Sequence, residues 1–131
     1  MTLSAIGQST LLRNALIADA VITGATGLAM FLGAGLFASL FGLPDVLLRY
    51  AGLSLIPFAA FVAVMAGRDR ISRPAVVAII AANVLWVVDS FLLLLTGWVQ
   101  PSVLGYVFVI GQAVIVAGFA EVQHMGLKAA H

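Results

Sequence analysis

The chain has 131 residues, of which 63% are hydrophobic and only 8% charged, with a mean hydropathy of +1.20. Soluble domains carry about 25% charged residues, so this chain lacks the charge to coat a water-facing surface. A net charge of +1 with no basic tract argues against a nucleic-acid partner, and the lack of cysteine excludes disulfides, thiolate catalysis and thiolate metal sites.

A membrane-spanning helix needs about 20 mostly apolar residues. Four runs meet that length: Leu11–Leu40, Val46–Ala66, Ala75–Leu95 and Ser102–Val122. None alternates polar with apolar as a spanning strand does. The expected fold is all-α: a single integral membrane domain over residues 1–131, built as a four-helix transmembrane bundle with antiparallel neighbouring helices.

The first run is too long for the h-region of a cleaved signal peptide and is read as a retained helix. It carries Asp19, Thr23 and Thr26 as a polar stripe. Because the run exceeds what a span needs, sliding or tilting can bring Asp19 to the interface, and an interfacial carboxylate is expected. The two threonines can bond to carbonyls one turn back in their own helix. Gly42-Leu43-Pro44-Asp45 ends the run, with Asp45 placed to cap the second helix. Pro57 lies inside that second helix and predicts a kink. Arg49 sits about one turn in from its start.

Gly67-Arg68-Asp69-Arg70-Ile71-Ser72-Arg73-Pro74 is a short charged loop, in which Ser72 can cap the third helix and Pro74 occupies its first turn. On the third helix Asn83, Trp86, Asp89 and Ser90 fall on one broad face, as a polar and aromatic stripe. Asp89 lies about 10 Å inside the helix end, by the rise per residue. A carboxylate at that depth is costly and is expected to face protein or water. Arg49 is its plausible partner, either as a lock between two helices or as part of a solute or proton site. The alternative is a local Arg49–Asp45 pair, four residues apart, that leaves Asp89 to titrate. The stripe is read first as glue between helices and second as a ligand pocket.

The fourth helix follows the break at Gly97 and Pro101. Its Gln112 and Glu121 are nine residues apart and point in opposite directions. Gln112 is expected to bond across to a neighbouring helix, while Glu121, Gln123 and His124 read as an interfacial exit. His124 and His131 are tail residues, so no metal-ligand pair, haem site or Ser-His-Asp set is drawn.

Two features span the chain. Small residues recur every four, at Ala25, Ala29 and Gly33, at Ala78 and Ala82, and at Ala113 and Ala117, and suit close helix packing within one chain or between copies. Pro44-Asp45-Val46-Leu47 before Tyr50 echoes Pro101-Ser102-Val103-Leu104 before Tyr106. The echo is read first as two similar short turns entering apolar helices and second as a duplicated hairpin.

Arg13, Arg68, Arg70, Arg73 and Lys128 all fall on one side of a four-pass topology, and Tyr50, Trp98 and Tyr106 gather on the other. Both patterns place the two termini in the cytoplasm. The chain resembles, in general look, small four-helix inner-membrane proteins of bacteria, and that resemblance implies a plasma membrane of the bacterial inner-membrane type. The loops are too short for a separate catalytic domain. The expected role is therefore non-enzymatic and without a cofactor: association in the bilayer, as a homo-oligomer or as a subunit of a membrane complex. The alternative is a small oligomeric transporter or channel for a solute or ion. Its polar site would centre on Asp89, Arg49, Asn83, Trp86 and Ser90, with Asp19, Gln112 and Glu121 as secondary candidates.

Overall fold

The computed structural model describes the backbone of residues 3–129 and the side chains of residues 10–128, so His131 lies outside the described residues. These residues are helical apart from short turns. In chain order the helices are α1 (Leu3–Leu32), α2 (Ala34–Phe41), α3 (Asp45–Ala66), α4 (Arg73–Leu95) and α5 (Val103–Ala129). Four stretches are long and apolar enough to cross a membrane: Thr10–Leu32, Asp45–Ala66, Arg73–Leu95 and Val103–Lys128. At most 33% of each stretch's most apolar window is buried, so the greasy residues lie mainly on the outside. Leu32, Leu95 and Val103 are about four-fifths exposed. This is the outer surface of a membrane protein, whose exterior is as apolar as its core.

The first run, expected as one helix over Leu11–Leu40, is instead two. It breaks at Gly33, and α2 forms a separate piece of eight residues. Gly33 and Gly35 are poor helix formers, and a side chain at Gly33 would meet the Phe37 ring and the Ala29 carbonyl. Gly42 ends α2 in the left-handed conformation at φ 66°, with its N–H donating to the Ala38 carbonyl. Pro44, rather than Asp45, occupies the position before the first turn of α3, where no side chain caps the helix, and Asp45 begins the helix itself. A carboxylate there still faces the positive end of the helix dipole. Helix α3 runs unbroken through Pro57.

Ser72 caps α4 as its position implies, its Oγ accepting from the Ala75 N–H at 3.3 Å, with Pro74 in the first turn. Ser72→Ala should cost about 1 kcal/mol, read as a fall in the thermal midpoint of the detergent-solubilised protein.

Helix α1 packs along α3 and also against α5, which in turn packs on α4. Helices α3 and α4 follow one another in the chain yet barely touch. The order in space is therefore α3, α1, α5, α4, with a cleft between the two outer members. Polar ties close both ends. Arg13 donates to the backbone carbonyls of Ala66 and Arg68, joining the start of α1 to the end of α3. Ser102 donates to Leu40 through its Oγ and to Phe41 through its N–H, joining the end of α2 to the start of α5.

Between these ends lie two apolar cores. One is built by Leu12, Leu16, Val62, Ala66, Val76, Ile79 and Leu127. The other holds Met30, Ala34, Leu43, Leu48, Leu55, Val99 and Val109. The layer between them is polar and partly hollow.

Candidate functional site

The middle layer is organised around Asp19, which has no exposed surface. Three helices supply its partners. Thr23, one turn along α1, donates its hydroxyl to Asp19 Oδ1 at 2.7 Å. Asn83 Nδ2 of α4 donates to Asp19 Oδ2 at 2.9 Å, and Gln123 Nε2 of α5 donates to the same oxygen at 2.7 Å. The second Asn83 amide hydrogen goes to Gln123 Oε1 at 3.1 Å, which closes the network. Thr23, Asn83 and Gln123 are all buried, Gln123 completely.

Asp19 therefore does not sit at the interface. It lies six residues, or about 9 Å of helix, beyond Arg13, whose bonds to the α3 C-terminus mark one end of the molecule. It also lies on the inward stripe of α1. Leu12, Leu16, Asp19, Thr23, Gly27 and Met30 follow steps of three and four and are all buried. The sliding that would free Asp19 would drag this whole stripe out of contact. For the same reason Thr23 bonds to the Asp19 carboxylate rather than to a carbonyl of its own helix. Gln123 is likewise on the buried face of α5, not in an exit cluster. Glu121 and His124 beside it are exposed.

A second polar knot lies farther along α4. Trp86 Nε1 donates to Gln112 Oε1 at 2.6 Å, and Gln112 Nε2 donates to Ser90 Oγ at 3.0 Å and to the Val109 carbonyl at 2.8 Å. Ser90 donates its own hydroxyl to the Trp86 carbonyl at 2.8 Å. Gln112 thus bonds across to α4, as its depth implies.

Asp89 and Arg49 do not meet. Arg49 Nη2 stands 4.0 Å from Asp45 Oδ2, an exposed local pair one helical turn apart, and it is the one ion pair among the described residues. Asp89 is exposed and follows a different direction from its stripe: Val76, Ile79, Asn83 and Ser90 carry the buried face of α4, and Asp89 is about 100° away from Ser90. No cationic side chain among the described residues pairs with Asp19 either, since Arg13 and Arg73 are turned to backbone carbonyls.

The space around Trp86 is hollow. A cavity of about 180 Å³ opens between α3 and α4, with Thr23, Ser54, Phe58, Asn83 and Trp86 among its walls. A second, of about 260 Å³, lies toward the α2 end and is walled by Trp86, Asp89, Ser90, Gln112 and the apolar side chains of Met30 and Leu48. Trp86 lines both. Sites for drug-sized ligands measure about 300–1,000 Å³, so each cavity suits a smaller solute.

Comparison of the chain with protein-family models, with curated proteins and with solved structures finds no match in any of the three.

Proposed function

We propose that this chain is a small transporter, a multi-pass protein of a bacterial inner-membrane type of plasma membrane that binds a small solute or ion between its helices without catalysing a reaction. One observation carries the reading. Polar side chains from α1, α4 and α5 converge on a buried carboxylate that has no cationic partner among the described residues, beside a cavity in a largely apolar body. An ionisable group inside the membrane is expensive and marks solute or ion pathways. A purely structural lock would be served as well by amides and hydroxyls, without the charge.

The proposed topology has both termini in the cytoplasm and neighbouring helices running in alternate directions. Arg13, Arg68, Arg70, Arg73 and Lys128 then face the cytoplasm, and exposed Tyr50, Trp98 and Tyr106 form the aromatic belt on the other side.

The test is uptake into proteoliposomes from a mixed panel of amines, sugars, amino acids, organic acids and alkali ions, read by mass spectrometry of the vesicle contents. Wild-type protein should load at least one member, and Asp19→Asn should abolish that loading while remaining folded. Contents indistinguishable from those of empty vesicles across the panel would reject the reading.

Association in the bilayer is the second reading, and a specific feature favours it. Ala25 and Ala29 lie four apart on α1 and remain exposed, as do Ala78 and Ala117. Small outward-facing residues let another helix approach closely. A stable oligomer or a co-purified membrane partner in mild detergent is the expected result. A strictly monomeric species with no partner would remove it.

A further inference from the structure

Every polar group on the walls of the two cavities has its hydrogens committed elsewhere. In the smaller cavity, Thr23 gives its hydroxyl hydrogen to Asp19 and Ser54 gives its own to the Ala51 carbonyl at 2.7 Å. Asn83 spends both amide hydrogens on Asp19 and Gln123, and Trp86 spends its indole N–H on Gln112. In the larger cavity, Gln112 spends both amide hydrogens and Ser90 its hydroxyl hydrogen. The walls are otherwise mostly aliphatic and aromatic, and their few polar atoms offer lone pairs rather than free hydrogens. Asn83 is 3% exposed, and no donor among the described residues reaches its Oδ1. A buried acceptor left without a donor carries the full cost of its desolvation.

The charges agree with the hydrogens. Asp19 lies directly behind Asn83, and Asp89 stands at the wall of the larger cavity with no hydrogen bond or ion pair among the described residues. Among the described residues no cationic side chain lines either cavity. An anion would find no donor here and two carboxylates of its own sign.

Resting on the transporter reading above, we propose that the paired cavities are a site for a small monovalent cation, a primary ammonium or an alkali ion, held by Asn83 Oδ1, the Thr23 and Ser54 oxygens and the face of Trp86, with Asp19 supplying the compensating charge. The acceptors suit N–H donors and a stripped alkali ion alike. The rings of Trp86 and Phe58 add the attraction of an aromatic face for a cation and contact for a short apolar group. At about 180 Å³ the smaller cavity holds on the order of six water volumes, enough for methylammonium and too little for a bulky quaternary ion. Asp89 at the wall of the larger cavity draws the cation toward Trp86, which the two cavities share.

Trp86 is also the reporter. A Trp98→Phe variant leaves it as the one indole in the chain. The detergent-solubilised variant is titrated with methylammonium, potassium or sodium chloride, with tetrapropylammonium chloride holding ionic strength and tetrapropylammonium acetate as the anion control. A saturable change in Trp86 emission with at least one of the three small cations is expected. Saturation by methylammonium alone assigns the site to primary ammonium ions, and saturation by an alkali ion alone assigns it to stripped metal ions. Asp19→Asn should weaken the midpoint about tenfold or more, and Ser54→Ala, whose residue is exposed and outside the Asp19 network, about threefold. No saturable response to any of the three cations in folded protein would overturn the proposal, as would a response to acetate. If the uptake panel meanwhile shows a sugar or other neutral solute carried, the transporter reading stands and the cation assignment alone falls. If methylammonium binds but nothing is carried, the site stands and transport falls.

Discussion

Asp19→Ala is expected to be among the most destabilising single changes in this protein, whereas Asp19→Asn leaves stability unchanged or raises it. Alanine strips three buried donors, on Thr23, Asn83 and Gln123, of their acceptor at once. Each unpaired buried donor costs about 1–3 kcal/mol, and measured bonds between membrane helices average nearer 0.6 kcal/mol. A loss of about 2–5 kcal/mol follows for the three together. Asparagine keeps an oxygen where Asp19 Oδ2 accepts two hydrogen bonds, and its amide can donate to a Thr23 hydroxyl that turns to accept. The bonds survive and the buried charge is gone. Removing a buried charge while keeping shape and hydrogen bonds is often neutral or stabilising. Thermal midpoints in detergent separate the cases. Asparagine as damaging as alanine would mean that the charge itself holds the fold together, and the solute reading would lose its main support. A stable Asp19→Asn that no longer binds or carries its solute is the result that a functional carboxylate requires.

Some of this was legible in the amino-acid sequence and some was not, for reasons that lie in the solvent. The four spans follow from length and hydropathy, because the bilayer demands about 20 apolar residues whatever the packing. The Ser72 cap follows from local chemistry. Which way each helix faces is harder. In water the polar side of a helix marks its outside, but in hydrocarbon both sides are apolar, so only the few polar residues reveal the inward face. Those residues did carry the signal. Asp19 and Thr23 are one turn apart, and Asn83, Trp86 and Ser90 follow steps of three and four. Gln112 and Gln123 are eleven positions apart, which at about 100° per residue brings them within about 20° of each other. Comparing Gln112 with Glu121 instead hides that track. Asp89 attracts attention by its charge, yet it falls one position off the stripe. The contact of Asp19 with Gln123 spans 104 positions, and nothing local encodes it.

The other large effect is expected at Gly52, where a valine should separate α1 from α3 and cost about 2–4 kcal/mol. The two helices cross with backbone against backbone. A Cβ placed on Gly52 would lie 2.6 Å from the Gly27 carbonyl oxygen and 2.8 Å from the Phe31 nitrogen. One placed on Gly27 would lie 2.9 Å from the Leu55 Cβ and 3.0 Å from the Gly52 carbonyl oxygen. Neither set of atoms is the end of a flexible chain, so the helices must move apart. Overpacking of this kind costs about 1–3 kcal/mol for small insertions, and valine adds two further methyl groups to the clash. The control is Gly118→Ala on α5, where a Cβ meets nothing within 4 Å and α-helix propensity favours alanine by about 1 kcal/mol. Gly118→Ala should therefore be neutral or stabilising in the same thermal assay, and Gly52→Val should be strongly destabilising. Equal midpoints for the two variants would mean that α1 and α3 do not meet at Gly27 and Gly52. The consequence reaches the site as well. Thr23 is one turn from Gly27, and Ser54 and Leu55 follow Gly52, so the α1–α3 crossing sets the width of the cavity at Asn83. A Gly52→Ala variant that still folds should for that reason show altered Trp86 emission even though residue 52 does not line the cavity.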